Sequence, residues 1–144
     1  MARVMATAGT LEVTFHRAFD MSRDPLEALE TLAELGVTRV LTSGQGRTVP
    51  EGQSLIRELV HRAGDRISIM PGGGVTEGNV LQIVQKTGVE EVHFTALARM
   101  ESAMVHRNPR PKMGASEVPG EYERFATDSS VVRRVIRALG QNPP

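Results

Sequence analysis

A short apolar run ends in three residues able to do chemistry together: Val13-Thr14-Phe15-His16-Arg17-Ala18-Phe19-Asp20. An imidazole there can act as a general base or as an uncharged hydrogen-bond donor. Arg17 offers a planar fork for a carboxylate or phosphate, and Asp20 is close enough in sequence to pair with it. Strand alternation puts Thr14 and His16 on one side and Val13 and Phe15 on the other. A later run, Glu91-Val92-His93-Phe94-Thr95, repeats the frame with Thr and His exchanged. If Phe and Val pack under helices, Thr14, His16, His93 and Thr95 face inward and line a wet lumen. His16, Arg17, Asp20 and His93 are the catalytic candidates. The same residues also suit a buried polar network, with His16 satisfied by a threonine and Arg17 paired with Asp20.

Pro71-Gly72-Gly73-Gly74 follows a third β-like run and precedes a helical pattern beginning near Thr76. Glycines allow positive φ and close approach of a ligand to the backbone, and unpaired amides there favour an anion. Gly72, Gly73, Gly74 and Thr76, with Thr95 and Arg107, form the expected anion site. A tight turn needing glycine only for its geometry is the alternative. Thr42 and Ser43 end the second run and, with Thr14 and Asn108, are candidate donors to a substrate; they can equally cap the turn. Arg99 to Thr127 is long for a connection and carries Arg107, Asn108, Arg110, Lys112, Met113 and Ser116, either a cationic lid or a solvated loop. No Gly-Lys-Ser/Thr follows the glycines, so this is not a P-loop. No Gly-x-Ser-x-Gly elbow is present, which argues against a serine hydrolase.

These groups sit on an alternating scaffold. Four β-like runs are expected at Leu11–His16, Arg39–Thr42, Ile67–Met70 and Glu91–Thr95. Helical patterns cover Pro25–Leu35, about Pro50–Ala63, Thr76–Thr87 and a segment starting near Asp128. Asp24 is placed to cap the first of these, Pro25 suits its first position, and Gly36, Gly64, Gly88 and Gly140 are stops. Strict βα alternation implies a parallel sheet. Four units amount to half of a (β/α)8 barrel, which needs about 250 residues. Arg3 to Ala8 with Gly9 reads as the last turns of a helix, so residues 1–9 are expected to be the remnant of a preceding unit, with a disordered start as the alternative. The tail, 141–144, is expected to fray. The fold class is α/β, a TIM-type half barrel forming one domain over 1–144.

Composition excludes several classes. The chain has 17 basic and 17 acidic residues, a formal net charge of zero, so neither nucleic acid nor an anionic membrane is an expected partner. With no cysteine, disulfides, thiolate metal sites and a cysteine nucleophile are ruled out. No apolar run approaches the roughly 20 residues of a membrane span. The start of the chain does not read as a signal peptide. The expected setting is the cytoplasm, with the nucleus as an alternative.

VTFHRAFD, RVLTSG, MPGGGVTEGN and EVHFTA, followed by Arg107-Asn108 and Met113-Gly114-Ala115-Ser116, stand in one order along the chain. The ordered set resembles the CutC family, named for copper homeostasis. That resemblance implies that the four strands are the fifth to eighth of a barrel, and that copper is the ion handled. The residues by themselves do not point to copper: Cu(I) prefers thiolate and thioether ligands, and no Met-x-x-Met or His-x-His cluster occurs. His16, His93, Met70 and Met113 are the only ligands to propose. Two other readings stand beside a copper protein: a barrel enzyme or enzyme remnant binding a small anionic molecule, and a noncatalytic truncated form. An open half barrel leaves strand edges unpaired, so a homo-oligomer, or dependence on an N-terminal half, is expected.

Overall fold

Asp24 opens the first long helix by accepting hydrogen bonds from the amides of Leu26 and Glu27 at 2.9 and 3.0 Å. Pro25 then occupies the first helical position, where its missing N–H costs nothing. The same local logic sets most elements of the computed structural model, which describes residues 1–111 and 119–140. In chain order they are helix α1 (Ala2–Ala8), strand β1 (Thr14–Phe15), a 3-10 turn (Arg17–Met21) and α2 (Pro25–Glu34). Then come β2 (Arg39–Thr42), α3 (Val49–Ala63), β3 (Ser68–Pro71), α4 (Val80–Thr87), β4 (Leu97–Glu101), β5 (Glu123–Thr127) and α5 (Ser129–Ala138).

β1, β2 and β3 form a parallel sheet in that order, with Thr14 opposite Arg39 and Arg39 opposite Ser68. Val40 and Ile69 lie buried under the helices, while their neighbours Leu41 and Met70 are only partly covered on the other face. Phe19, Leu29, Ile56, Leu59 and Ile83 are fully buried between sheet and helices. Each contributes about 1.5–3 kcal/mol relative to an exposed side chain. Successive helices α2 to α5 pack side by side. Glu30 ties α2 to the end of α3 through Arg62 at 3.2 Å and to the turn after it through Arg66 at 2.6 Å. The result is a partial TIM-type barrel whose helices cover one face of a parallel sheet. Among the described residues no helix is long and apolar enough to cross a membrane.

Three expectations need correction. The run Glu91–Thr95 keeps its alternation, with Val92 and Phe94 packed on the core and His93 and Thr95 exposed. It makes no ladder, however, only a single parallel bridge from His93 to Gly72. Its available neighbour is short, because β3 ends at Pro71 and Gly73 turns the backbone away at φ +113°. Next, the stretch 99–127 is not all loop: Leu97–Glu101 and Glu123–Thr127 pair antiparallel, with Arg99 opposite Phe125. Leu-Ala-Arg-Met-Glu is made of good helix formers, and pairing with a partner distant in sequence overrides that local preference. Finally, the helical pattern from Thr76 begins as a helix only at Val80. The side chain of Asn79 accepts the Thr76 amide and donates to the Gly74 carbonyl, both at 2.8 Å, and holds 76–79 as a turn. Residues 141–144 lie outside the described residues.

Candidate functional site

The 3-10 turn after β1 brings His16, Arg17 and Asp20 to the C-terminal end of the sheet, where barrel proteins carry their functional groups. Asp20 is the hub. Its carboxylate accepts from the Thr42 hydroxyl, from the Ser43 amide at 3.0 Å, from the Gln45 amide at 3.2 Å and from Arg17 Nε at 2.8 Å. Burial pushes the Asp20 carboxyl up, but the hydrogen bonds from Thr42, Arg17, Ser43 and Gln45 outweigh it and hold the group below its ordinary value of 3.8. With its lone pairs filled, Asp20 positions its neighbours and is not a free base.

Thr42 and Ser43 are completely buried, so neither hydroxyl is available to a substrate. Thr42 donates to Asp20 and accepts the Gly44 amide at 2.8 Å. Ser43 Oγ accepts from Arg17 Nη2 and lies within donating distance of the Gly46 carbonyl, both at 2.6 Å. Arg17 is thereby clamped along one edge by Asp20 and Ser43, and its Nη1 is left without an acceptor among the described residues. That atom lies 3.0 Å from where a Cβ on Gly73 would sit. The pairing of Arg17 with Asp20 is therefore present, and the same clamp presents Arg17 to the glycine turn.

His16 is not satisfied by a threonine. Its Nδ1 accepts the Ala18 amide at 3.0 Å and caps the 3-10 turn. The neutral ring therefore carries its proton on Nε2 and offers a donor outward. His93 is exposed beside Gly72, whose added Cβ would meet the His93 Cβ at 3.2 Å. Neither imidazole is bonded to a carboxylate among the described residues, so no orienting partner marks either as a base. Thr14 Oγ1 accepts from Arg39 at 3.2 Å. Arg39 also pairs with Glu91 and Glu12, forming an ionic layer on the inner face of the sheet. Thr95 offers its carbonyl to Thr127 at 3.5 Å.

The expected anion site is only partly assembled. The Gly72 amide is used by the Thr42 carbonyl at 2.9 Å, and the Thr76 amide by Asn79. The amides of Gly73 and Gly74 have no acceptor among the described residues. Arg107 is engaged elsewhere: it reaches Glu101 at 3.4 Å and the Ser102 carbonyl at 3.2 Å, and lies 5.4 Å from the Tyr122 ring centroid. Asn108 exchanges backbone hydrogen bonds with the Tyr122 hydroxyl at 2.6 and 3.0 Å. Both belong to the loop of the β4–β5 hairpin. Lys112, Met113 and Ser116 lie outside the described residues.

Sequence reasoning passed over Gln45 and Gly52. Gln45 takes φ +55°, uncommon for a residue with a side chain. Its backbone amide donates to Asp20, and its side-chain Nε2 donates to the Ser22 carbonyl at 2.7 Å. Ala96, the other described non-glycine residue at positive φ, follows the 91–95 segment. Two constrained residues thus sit just past the two segments that flank β3. Gly52 sits in the first turn of α3, and a Cβ there would lie 1.9 Å from the Ser43 carbonyl oxygen. A glycine inside the start of an amphipathic helical pattern was the signal.

One pH-dependent result follows from the hub. A carboxyl whose folded pKa is depressed adds stability that is present above its unfolded pKa and lost as pH falls through the folded value. Asp20→Asn should melt below the parent near neutral pH, and the gap should close as the pH is lowered below about 4. Thermal melts across this range check it; a constant gap would mean that the charge of Asp20 is not what matters.

The sequence model of the CutC family matches residues 1–98. A CutC family protein of Mesorhizobium japonicum is 47% identical over 138 residues, covering 96% of this chain and 54% of that protein. The human protein named copper homeostasis protein cutC homolog is 45% identical over 139 residues, covering 96% of this chain and 50% of its own length. A crystal structure of a CutC protein from Streptococcus agalactiae superposes with a TM-score of 0.60 at 37% identity, covering 63% of this chain and 45% of that one. The chain spans about half the length of the curated relatives it matches.

Proposed function

The chain belongs to the CutC family, and from that premise we propose that it serves copper homeostasis, the role in the names of its human and mouse relatives, through a small-molecule site at the C-terminal ends of its strands. The observation that carries the site is the Arg17 guanidinium, clamped by Asp20 and Ser43 with Nη1 left facing the Gly73 turn. A side chain fixed in advance gives up little freedom when a ligand arrives.

The donor set does not fit a resident Cu(I) centre. The chain has no cysteine. His16 already uses Nδ1 as a cap, and among the described residues no three His, Cys, Asp or Glu side chains gather to hold a metal. Met70 is half-buried in β3 beside Leu41 and reads as packing. Copper handling in this reading runs through the molecule bound at the strand ends, and copper itself binds weakly.

Two measurements test this. In a Cu(I) competition against bathocuproine disulfonate, the chelator should retain the metal; a stoichiometric complex that survives it would overturn the weak-binding reading. In cells lacking their own CutC relative, expression of the chain should restore copper tolerance and Arg17→Gln should not. Equal rescue by both would remove Arg17 from the function.

A further inference from the structure

We infer that Arg17 and the Gly73–Gly74 turn form a subsite for a phosphate-type oxyanion, an assignment that rests on the small-molecule reading above and names its ligand class. The turn has sorted its polar groups. The Gly73 carbonyl accepts the Val49 amide at 2.8 Å, and the Gly74 carbonyl accepts the Asn79 side chain at 2.8 Å. Both carbonyls already accept a hydrogen bond within the protein, whereas both amides lack an acceptor among the described residues. The unpaired groups of the turn are therefore donors.

Glycine is required at both positions. Gly73 and Gly74 hold φ +113° and +78°, and a Cβ on either would lie 3.0 Å from Arg17 Nη1 or from the Thr48 side chain, respectively. The bare backbone lets the guanidinium edge lie directly against the turn. Arg17 Nε and Nη2 are committed to Asp20 and Ser43, which leaves Nη1 as the charged donor. The Asp20 carboxylate lies against the opposite edge, where it offsets part of the Arg17 charge but leaves the Nη1 donor free.

Two backbone amides and one cationic N–H, arriving from two separate loops, select the ligand. Amines find no anionic acceptor at the turn among the described residues. A carboxylate can accept from three donors, but its lone pairs lie in one plane. A tetrahedral oxyanion presents at least three oxygens out of one plane, which suits donors arriving from separate loops, and charge-assisted hydrogen bonds to it are the strong kind.

The test is an amide and arginine side-chain NMR titration of the full chain with inorganic phosphate, with sodium acetate and sodium chloride at matched ionic strength as comparators. Saturable shifts at Gly73, Gly74 and the Arg17 guanidinium in phosphate are expected, weakened about tenfold or more in Arg17→Gln. Arg17→Lys keeps the charge without the fork and should also lose affinity; it replaces the first variant if Arg17→Gln does not give a cooperative melt. Acetate binding as tightly as phosphate would overturn the oxyanion class and leave the small-molecule site standing. No saturable shift, or shifts that persist in both variants, would overturn the subsite itself.

Discussion

Gly52→Ala should destabilise the chain by about 3 kcal/mol, the upper end of ordinary overpacking costs, and lower its melting temperature by roughly 6–12 °C. The new methyl would sit 1.9 Å from the Ser43 carbonyl oxygen and 2.8 Å from Gly44 Cα. The obstacles are backbone atoms, which cannot rotate away as a side-chain end can. The clash is reciprocal, since a Cβ on Gly44 would meet the Gly52 carbonyl oxygen at 2.3 Å. The β2–α3 loop is thus pressed onto the first turn of α3, and that contact places Ser43 and Gln45 around Asp20. Loss of the contact should therefore also loosen Arg17. Gly78→Ala is the control, because its nearest neighbour would be Thr76 Oγ1 at 3.9 Å. Calorimetric melts of the two variants decide the matter: a Gly52→Ala protein that melts within about 2 °C of the parent would mean that the loop is not packed as described.

The second large effect concerns assembly. We propose that the isolated chain pairs with a second copy, or else aggregates or folds only in part. β1 pairs only with β2, and the 91–95 segment makes one bridge to β3, so among the described residues the sheet has two open edges. Open edges offer unpaired N–H and C=O groups to any similar strand. Leu41 and Met70 are incompletely covered on the inner face, and Leu97, Met100 and Phe125 are exposed on the hairpin. Each large apolar side chain left in water forgoes about 1.5–3 kcal/mol, against a typical stability of about 5–15 kcal/mol. Two copies related by a two-fold axis would cover equivalent edges on each other. Light scattering on the eluting protein should give at least twice 15.7 kDa, or a sample that aggregates. A monodisperse monomer with a cooperative melt independent of concentration would remove the argument.

Periodicity and caps carried most of the scaffold. Val40 and Ile69 lie under helices because alternation put them there. Asp24, Asp128, Gly64 and Gly88 stand at helix ends because short polar side chains and glycine satisfy backbone groups that helices leave unpaired. The partial barrel follows from βα alternation, a local property repeated. The candidate residues His16, Arg17, Asp20, Gly73 and Gly74 were also visible, since chemistry-bearing types at strand ends stand out along the chain.

Their roles depended on tertiary structure. Thr42 and Ser43 looked like donors to a substrate, but their hydroxyls turn inward to Asp20, Arg17, Gly44 and Gly46, and the first two of these lie more than twenty positions away in the chain. Arg107 looked like part of the anion site and instead belongs to Tyr122 and Glu101, because pairing of β4 with β5 draws its loop to the hairpin. Sequence determined most of the helices and the first three strands, because caps, stops and alternation act over a few residues, whereas the β4–β5 hairpin needed a partner distant in sequence. Which polar groups remained free for a ligand was decided by the tertiary fold, since a hydrogen bond is spent only when its partner arrives from elsewhere in the chain.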